Sequence, residues 1–542
     1  IYIDSHIIMS TFPTIAIAQI NLTVGDLAGN SKKIVDAWSK ATSEGAQLVV
    51  YPELCVTGYN PKDLILMSDF RKKAMQAVKE IAQKTAQGAA IIIGCVWEVD
   101  GKIYNAGLLI DGGEIIHIQL NLPLPNCQIL DETQPFSATN AVVAADWRGH
   151  KVAILICEDE WDEPLVASLK NQAVEAVFVI SASPFEIGKH QKRQSVISKT
   201  ACIVGAPLFY VNLVGGQDEM VFDGGSFMAD AQGEIIFNLP QFEEVISIVP
   251  NQSAEARQYI RDDNAEIWQA MKLGLKDYVA KNGFSSVILG LSGGIDSAIT
   301  AALAVDALGA ENVLGVLLPS PYSTVGSVED AHASAKLLGI ATRTIPISSG
   351  METFEKLLTP EFGKNDWMEE PEIGGNLQAR LRAVILMGLS NRYGNLLLST
   401  GNKSEGSVGY CTLYGDSCGG YNVLQDLYKT QIYELANWRN SQSLVIPENS
   451  ITKPPSAELK PDQRDEDSLP PYDVLDDILK KHIENRLCAE EIIASGHEPK
   501  IVEKVLRLVR LSEYKRNQSC SGVKVSSMLF GKDRRYPLTN KF

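Results

Sequence analysis

The 542-residue sequence has no apolar run that approaches the roughly 20 residues needed to span a bilayer. Its longest run, from Ala89 to Trp97, has the length of a buried strand instead. Positive charge is also scarce, because 49 Lys and Arg residues face 66 Asp and Glu residues and leave a formal net charge of −17. Such a surface repels phosphate backbones. The composition therefore excludes a membrane-spanning protein and argues against a nucleic-acid partner.

The nine cysteines include no C-x-x-C pair and no cysteine–histidine cluster at zinc-ligand spacing. Cys55, Cys95 and Cys157 lie within apolar strand patterns, where free thiols are common. This usage is typical of a reducing compartment, so we expect a cytoplasmic protein. Residues 1–8 precede Met9 and lack the charged and apolar regions of a signal peptide. We expect those eight residues to be leader or expression-derived sequence.

Two parts of the chain differ in the spacing of their apolar residues, and the length suits more than one hydrophobic core. Residues 14–250 contain short apolar runs with helical patterns between some of them, which predicts an α/β domain of sheets covered by helices. From Ala265 strands and helices alternate strictly, as in a doubly wound parallel sheet. A polar stretch from Asn251 to Asn264 separates the two parts. The predicted domains are residues 9–255 and 256–542.

A phosphate-binding loop is predicted between the strand Ser286–Leu291 and the helix Ser297–Leu308. The loop contains two glycines and one acid, in the order Ser292, Gly293, Gly294, Ile295, Asp296 and Ser297. Its backbone N–H groups and the helix N-terminus can face an anion. Asp296 would repel a bare phosphate, which indicates a magnesium ion that bridges the two. An ordinary βα turn with two glycines is the alternative on spacing alone, and the Walker A pattern is absent.

The S-G-G-x-D-S string resembles the pyrophosphate loop of N-type ATP pyrophosphatases, which cleave ATP between its α and β phosphates. Further strings follow in the order typical of NAD synthetases, and they begin at Ser399, Thr412, Asp426, Lys453, Asp465, Glu513 and Phe530. The chain from about residue 14 is therefore similar to the NAD synthetase family, in its long bacterial, glutamine-using form. The resemblance implies an adenine nucleotide α-hydrolase-like fold for the second domain.

The resemblance also implies an activity and a set of contacts. The implied activity is that of a ligase, which amidates deamido-NAD to NAD through an acyl-adenylate and requires ATP and Mg²⁺. The resemblance also implies a homo-oligomer. Implied ATP contacts are Gly290, Leu291, Ser292, Gly293, Gly294, Ile295, Asp296, Ser297, Thr400, Lys429 and Ser456. Implied deamido-NAD contacts are Asn376, Glu405, Asp416 and Lys515, and Asp296 and Glu405 would hold magnesium. Taken singly, Asp416 could be a turn acid, Lys429 a solvated helix charge and Lys515 part of a basic tail helix.

Two strings in the first domain resemble the nitrilase superfamily, in which an α-β-β-α sandwich carries a Glu-Lys-Cys triad. They are Tyr51-Pro52-Glu53-Leu54 and Ile156-Cys157-Glu158-Asp159-Glu160-Trp161, and each ends a predicted strand. The resemblance implies that Glu53 is the general base and that Cys157 is the nucleophile of a glutamine amidase. It also implies that Ser183 and Lys189 bind glutamine. The structural alternatives are a strand-end acid for Glu53 and a core thiol for Cys157.

The lysine of that triad is missing from this sequence. The register set by a following proline and an Asp-Glu pair places Asn121 at the lysine position and Cys127 at a tyrosine expected to line the glutamine pocket. No lysine occurs from Gly112 to Thr133. Losing one contact to an oxyanion typically costs on the order of 100- to 1000-fold in rate. We therefore expect a weak glutaminase, with free ammonia as the other nitrogen source, unless a lysine from elsewhere reaches Cys157.

Three other functions compete with this interpretation. A different adenylating amidotransferase is disfavoured by the strings of the C-terminal part. A free-standing carbon–nitrogen hydrolase joined to a nucleotide-binding regulator is disfavoured by Asn121. A non-catalytic scaffold is disfavoured by the intact phosphate loop.

Overall fold

The computed structural model describes residues 12–121, 136–139, 141–250, 259–363, 367–460 and 463–540. The chain divides into two compact units, Ile1–Asp262 and Asp263–Phe542, and each is described by itself. Cys127, the acidic pair Asp131 and Glu132, and residues 1–8 lie outside the described residues. No helix in the part of the chain that the structure describes is both long and apolar enough to cross a membrane.

The first unit contains short strands and helices in alternation. Its strands are β1 (Ile15–Gln19), β2 (Leu48–Val50), β3 (Ala90–Val99), β4 (Lys102–Asp111), β5 (Glu114–Leu120), β6 (Ala145–Trp147), β7 (His150–Ile156), β8 (Ala176–Ser181), β9 (Leu208–Asn212), β10 (Val214–Gln217), β11 (Met220–Asp223), β12 (Phe227–Ala229), β13 (Ile235–Asn238) and β14 (Val245–Ile248). Its α-helices are α1 (Leu27–Ser43), α2 (Ser68–Lys84), α3 (Glu163–Lys170) and α4 (Lys189–Val204).

Two sheets of the first unit pack face to face, with helices on their outer faces. Within the described residues the sheet orders are β14-β1-β2-β3-β4-β5 and β13-β12-β9-β8-β7-β6. Alternation along β1 separates two cores, since Ile15 and Ile17 face the other sheet while Ala16 and Ala18 face the helices. A third core joins the outer face of β7, β8 and β9 to α3 and α4. Three cores between four layers make an α-β-β-α sandwich.

The second unit is built on a parallel sheet. Its strands are β15 (Val287–Gly290), β16 (Val313–Leu317), β17 (Ala341–Thr344), β18 (Leu396–Ser399) and β19 (Tyr421–Asn422). Its α-helices are α5 (Asp263–Lys281), α6 (Ile295–Leu308), α7 (Val325–Leu338), α8 (Ser348–Phe362), α9 (Asn376–Tyr393), α10 (Lys403–Val408), α11 (Lys429–Gln442), α12 (Glu448–Thr452), α13 (Tyr472–Ile483), α14 (Ala489–Ala494), α15 (Pro499–Leu511) and α16 (Glu513–Arg516).

The order of these strands positions the candidate site. The sheet runs β17-β16-β15-β18-β19, and every pair in it is parallel. The chain winds outward from β15 in one direction and then returns to place β18 on the other side of β15. Ligands of doubly wound sheets bind at the carboxyl ends of strands where the winding reverses. That position lies between the ends of β15 and β18, after Gly290 and after Ser399.

The expected α/β fold class is confirmed, with the sandwich in the first unit and the doubly wound sheet in the second. The predicted strand Ser286–Leu291 matches β15 to within one residue at each end, and the apolar run Ala89–Trp97 falls largely within β3. The apolar run at residues 207–214 does not form one strand, because it is interrupted at Leu213, between β9 and the hairpin of β10 and β11.

Candidate functional site

A sharp turn presents Cys157 at the carboxyl end of β7. The strand ends at Ile156, and a short 3₁₀ helix, Cys157–Trp161, begins at once. Cys157 has a φ of 52°, a left-handed conformation that is uncommon for a residue with a side chain. The buried carboxylate of Asp159 fixes the turn, because its Oδ2 accepts a hydrogen bond from the backbone N–H of Ile156 at 2.9 Å. Such a strained position is typical of functional turns.

Glu53 lies directly beside this cysteine, just after β2. Its Oε1 accepts a hydrogen bond from Asn105 Nδ2 at 2.7 Å, and its Oε2 accepts one from the N–H of Ala182 at 2.8 Å. The Cys157 thiol also hydrogen-bonds to the carboxylate. Burial raises the pKa of Glu53 to about 7, against these hydrogen bonds, which lower it. A carboxylate with a near-neutral pKa is suited to accept a proton from the thiol.

The surroundings of Cys157 disfavour a thiolate. Burial of the sulfur raises its pKa well above the ordinary value, and the acids Glu53, Glu160 and Glu158 raise it further. Ser181 Oγ, 3.8 Å from the sulfur, lowers the pKa by a hydrogen bond. These surroundings favour the neutral thiol. Positive charge close to the sulfur would lower this pKa and favour the thiolate.

Asn121 connects the two halves of this site. Its backbone N–H donates to the carbonyl of Asn105, which holds Glu53, at 2.9 Å. Its Nδ2 donates to the carbonyl of Ile156 at 3.2 Å and to Asp159 Oδ1 at 3.0 Å. Asn121 thus connects the residue that holds Glu53 to the turn that carries Cys157. It brings hydrogen bonds but no charge.

The two glutamine-binding candidates stand on either side of a sharp loop. Ser183 follows β8, and its Oγ accepts a hydrogen bond from Arg193 Nε at 3.1 Å. Lys189 begins α4 directly after Gly188, which has a φ of 77°. Desolvation lowers the pKa of Lys189. Arg193 pairs with Asp223 at 2.7 Å, and their side chains are only 2% and 1% exposed. Nothing in the sequence pattern singled out this buried ion pair.

The predicted phosphate loop connects β15 to α6. Gly293 has a φ of 83°, and a Cβ there would lie 2.1 Å from the carbonyl oxygen of Ser327, so the loop requires glycine. Ser297 Oγ accepts a hydrogen bond from the N–H of Ser292 at 3.2 Å. The Gly293 carbonyl is occupied by Ser450 Oγ, which donates to it at 2.9 Å. The loop is thereby held open toward the end of the sheet.

A cavity of about 330 Å³ lies at this end of the sheet. The expected site residues that line it are Gly290, Leu291, Ser292, Gly294, Ile295, Asp296, Ser297, Thr400, Glu405, Asp416, Lys429 and Ser456. Gly293, Asn376 and Lys515 are not part of its wall. The structure therefore gathers most of the expected nucleotide contacts at one place, from segments more than a hundred residues apart.

One ammonium group joins the two expected metal ligands. Lys429 Nζ lies 2.5 Å from Asp296 Oδ2 and 3.5 Å from Glu405 Oε1. Asn402 Nδ2 donates to Asp296 Oδ1 at 3.2 Å. Burial raises the pKa of Glu405 to about 8, although Lys429 lowers it. The two carboxylates raise the pKa of Lys429, against the effect of desolvation. The arrangement attracts positive charge to the point between Asp296 and Glu405.

These two carboxylates fit a magnesium site of a particular kind. No group of three or more acidic, histidine or cysteine side chains in the described ranges could hold a metal ion. Magnesium at nucleotide sites is commonly held by one or two carboxylates, with phosphates and water completing its shell. Asp296 and Glu405 supply that number of hard oxygen ligands beside the phosphate loop. The residues present therefore fit a magnesium ion that arrives with a nucleotide.

The remaining deamido-NAD candidates meet at the segment 409–416. Thr412 joins two of them, because its N–H donates to Asp416 Oδ1 at 2.6 Å and its Oγ1 donates to Asn376 Oδ1 at 2.7 Å. Lys515 Nζ donates to the carbonyls of Gly409 and Cys411 at 2.7 and 2.6 Å. Asn376 and Lys515 therefore brace the segment that carries Asp416 to the cavity.

Comparisons with known proteins agree with this geometry. A carbon–nitrogen hydrolase family model matches residues 14–261, and an NAD synthase family model matches residues 267–519. A glutamine-dependent NAD(+) synthetase from Synechocystis sp. is 44% identical to the chain and is matched over 98% of this chain and 99% of its own length. The chain belongs to the glutamine-dependent NAD(+) synthetase family.

Solved structures extend this relationship. The glutamine-dependent NAD(+) synthetase from Acinetobacter baumannii, solved in complex with ADP, is 40% identical, with a TM-score of 0.77 over 97% of this chain and 98% of that one. The enzyme from Cytophaga hutchinsonii has a TM-score of 0.83 at 23% identity, which supports the fold alone. The family inferred from the sequence is confirmed. The expected enzyme class, a ligase that forms a carbon–nitrogen bond in ATP-dependent NAD synthesis, is confirmed with it.

Two cations that line the cavity of this synthetase were not anticipated. Lys453 Nζ pairs with Asp330 at 3.0 Å and donates to Ser327 Oγ at 3.0 Å. Arg382 Nε donates to the carbonyl of Leu318 at 3.1 Å. Lys453 belongs to a family string and could have been proposed from it. Arg382 has no comparable signal, because in sequence it is one charged residue among many on a long helix.

Proposed function

We propose that the second unit binds ATP and deamido-NAD in the cavity between β15 and β18 and joins ammonia to the nicotinate carboxylate. The main support for this proposal is that the phosphate loop, two carboxylates and the buried Lys429 all line this cavity. ADP in the solved Acinetobacter baumannii relative supports an adenine nucleotide here. An acidic protein can hold two polyanions only where cations are local, and Lys429, Lys453 and Arg382 supply such charge.

The residues of the cavity then have separate tasks. Backbone N–H groups of Ser292–Ser297 and the N-terminus of α6 hold the phosphates. Asp296 and Glu405 would hold Mg²⁺, which neutralises charge on the phosphates when it is bound. Lys429 and Ser456 position ATP, while Asp416, braced by Asn376 and Lys515, positions deamido-NAD. A nicotinate oxygen attacks the α-phosphorus, the bond to the β-phosphate breaks, and pyrophosphate leaves. Ammonia then attacks the acyl carbon, and AMP leaves as a proton is lost.

In the first unit, the amidase reaction begins at Cys157. Glu53 accepts the thiol proton as the sulfur attacks the amide carbon of glutamine, and the same proton is then donated to the departing ammonia. Glu53 then deprotonates a water molecule, which hydrolyses the glutamyl thioester to glutamate. Glu53 returns this proton to the sulfur. Ser183 and Lys189 position the glutamine. We further propose a cytoplasmic homo-oligomer, as the family resemblance implies.

One assay tests this function and its ammonia-only variant. The protein is incubated with ATP, MgCl₂ and deamido-NAD, and either glutamine or ammonium is added while NAD, AMP and glutamate are measured. NAD and AMP formed in equal amounts from ammonium support the synthetase. Glutamate formed together with NAD supports the coupled enzyme, whereas NAD from ammonium alone supports the ammonia-only variant that Asn121 suggests. No NAD from either nitrogen source would refute the proposal.

A further inference from the structure

The amide of Asn121 has no N–H group left for catalysis. An asparagine NH₂ carries two hydrogens. In this site Nδ2 donates to the Ile156 carbonyl at 3.2 Å and to Asp159 Oδ1 at 3.0 Å. Both acceptors belong to the turn that fixes Cys157, since Asp159 Oδ2 also accepts from the Ile156 N–H at 2.9 Å. Asn121 therefore holds the turn and cannot donate to an oxyanion that forms beside the sulfur.

The positive charge that the sulfur needs must come from another part of the unit. The ionisable groups whose charges act most strongly on Cys157 are the acids Glu53, Glu160 and Glu158. Residues 122–135, which follow Asn121, contain neither lysine nor arginine. Without a cation, proton transfer to Glu53 would bring a second negative charge into a cluster of acids.

Two cations lie on one face of α4, and Arg193 ties this helix to Ser183, two residues after the Ser181 that contacts Cys157. Lys189 and Arg193 are one helical turn apart, and the charges of both interact with Cys157. Arg193 has no N–H group left to donate to the sulfur or to a substrate. All five of its N–H groups donate hydrogen bonds, to Asp223 Oδ1 and Oδ2, to Ser183 Oγ and to the carbonyls of Ser183 and Pro184. Lys189 interacts electrostatically with both Cys157 and Glu158, and its ammonium forms no ion pair within the described residues.

The anchoring of α4 keeps Lys189 at this place. Ser181, whose Oγ lies 3.8 Å from Cys157 Sγ, is followed after two residues by Ser183, to which Arg193 binds. The N–H of Lys189 donates to the Glu186 carbonyl at 2.9 Å and closes the short loop between them. The first turn of α4 is thus tied to the segment that contacts the nucleophile.

We propose that this chain divides the task of the missing lysine between two residues, with Asn121 fixing the Cys157 turn and Lys189 supplying the positive charge beside the sulfur. This inference rests on the proposed amidase function of the first unit. It gives Lys189 a role in stabilising the thiolate and the oxyanion that is distinct from glutamine binding. The charge serves whenever the proton is on Glu53, both when the thioester forms and when water hydrolyses it.

The experiment compares Lys189→Met with Lys189→Arg, and with Lys199→Met as a matched control on the exposed side of α4, where that lysine is 63% exposed. Two readouts are measured: kcat and KM for glutamate release, and the pH dependence of iodoacetamide alkylation of Cys157, followed on its tryptic peptide. Iodoacetamide has no carboxylate, so its reaction does not depend on glutamine binding. We expect Lys189→Met to lower kcat about 100-fold and to move the alkylation profile to higher pH. Lys189→Arg should keep kcat within tenfold of that of the unmodified protein. Lys199→Met should have the same kcat and alkylation profile as the unmodified protein.

A raised KM with an unchanged alkylation profile in Lys189→Met would show a binding role only and overturn the inference. A second variant guards against a folding defect: the double variant Asn121→Lys with Lys189→Met should recover kcat, because charge returns from the other side. Failure of the double variant to recover, while the single variant Asn121→Lys keeps the kcat of the unmodified protein, would equally overturn the inference. If the unmodified protein makes NAD from ammonium but releases no glutamate, this inference fails and the synthetase function stands. If it makes no NAD at all, the proposed function fails.

Discussion

Replacing Lys429 by methionine tests the charge balance of the nucleotide cavity. The side chain of Lys429 is 3% exposed, and those of Asp296 and Glu405 are each 19% exposed. Methionine keeps the length of the side chain but leaves the two carboxylates facing each other without a cation. Removing one partner of a buried ion pair typically costs about 3–5 kcal/mol.

The effect in this unit should lie in the lower part of that range. Burial raises the pKa of Glu405 and Lys429 lowers it, so this carboxyl takes up a proton more readily when the ammonium is gone. For a large domain, each kcal/mol shifts the unfolding midpoint by roughly 2–4 °C. We therefore expect Lys429→Met to lower the midpoint of the second unit by roughly 6–12 °C in the absence of metal and nucleotide.

Thermal unfolding with and without MgCl₂ is the assay. Lys481→Met is the matched control, because Lys481 pairs with Asp477, whose side chain is 47% exposed, and solvent-exposed ion pairs contribute little. In Lys429→Met the carboxylates are free for a cation, so Mg²⁺ alone should raise the midpoint more than it does in the unmodified protein. The reasoning is refuted if Lys429→Met unfolds within 2 °C, an interval of about 1 kcal/mol or less, of the unmodified protein. An equal response of both proteins to Mg²⁺ would also refute it.

Four further outcomes are expected. Asp296→Ala should abolish AMP and NAD formation with either nitrogen source, and normal turnover at saturating ATP and Mg²⁺ would eliminate the assignment. Lys515→Ala should raise the KM for deamido-NAD more than the KM for ATP, because the segment that carries Asp416 loses two of its hydrogen bonds; unchanged KM values would show that this bracing does not affect substrate binding. Glutamate release should fall about tenfold per pH unit below pH 7, since the pKa of Glu53 is raised to about 7 and the base must be deprotonated; a flat rate between pH 5.5 and 8 would contradict this. Glutamine-driven synthesis should be slower than ammonium-driven synthesis at saturation, and Cys157→Ala should remove only the former; equal rates would show that Asn121 costs nothing.

The sequence was sufficient for features that depend on local order. The phosphate loop could be located because strand, glycines, acid and helix follow one another within a few residues. Glu53 and Cys157 could be paired only through the family resemblance, since the residues that bring them together, Asn105 and Ala182, are distant in sequence and carry no motif.

Features that depend on long-range packing were not predictable. Arg193 is an ordinary basic residue in sequence, and its burial follows from Asp223, thirty positions further on a different element. Asn402 binds Asp296 only because β18 returns beside β15. Short strands such as β12 and β13 become recognisable only once a neighbouring strand pairs with them. In each case the missing information was the identity of a distant partner.

The pairing of the first strand with the last has a consequence for synthesis of the chain. β1 receives β2 early, but its other edge is covered only by β14, through pairs such as Ala16 with Ile248. At roughly 5–20 residues per second, a ribosome delivers β14 roughly 10–50 s after β1. Until then an apolar strand edge stays open to other chains. The first unit therefore completes its sandwich only when its own C-terminal strand emerges, as synthesis of the second unit begins.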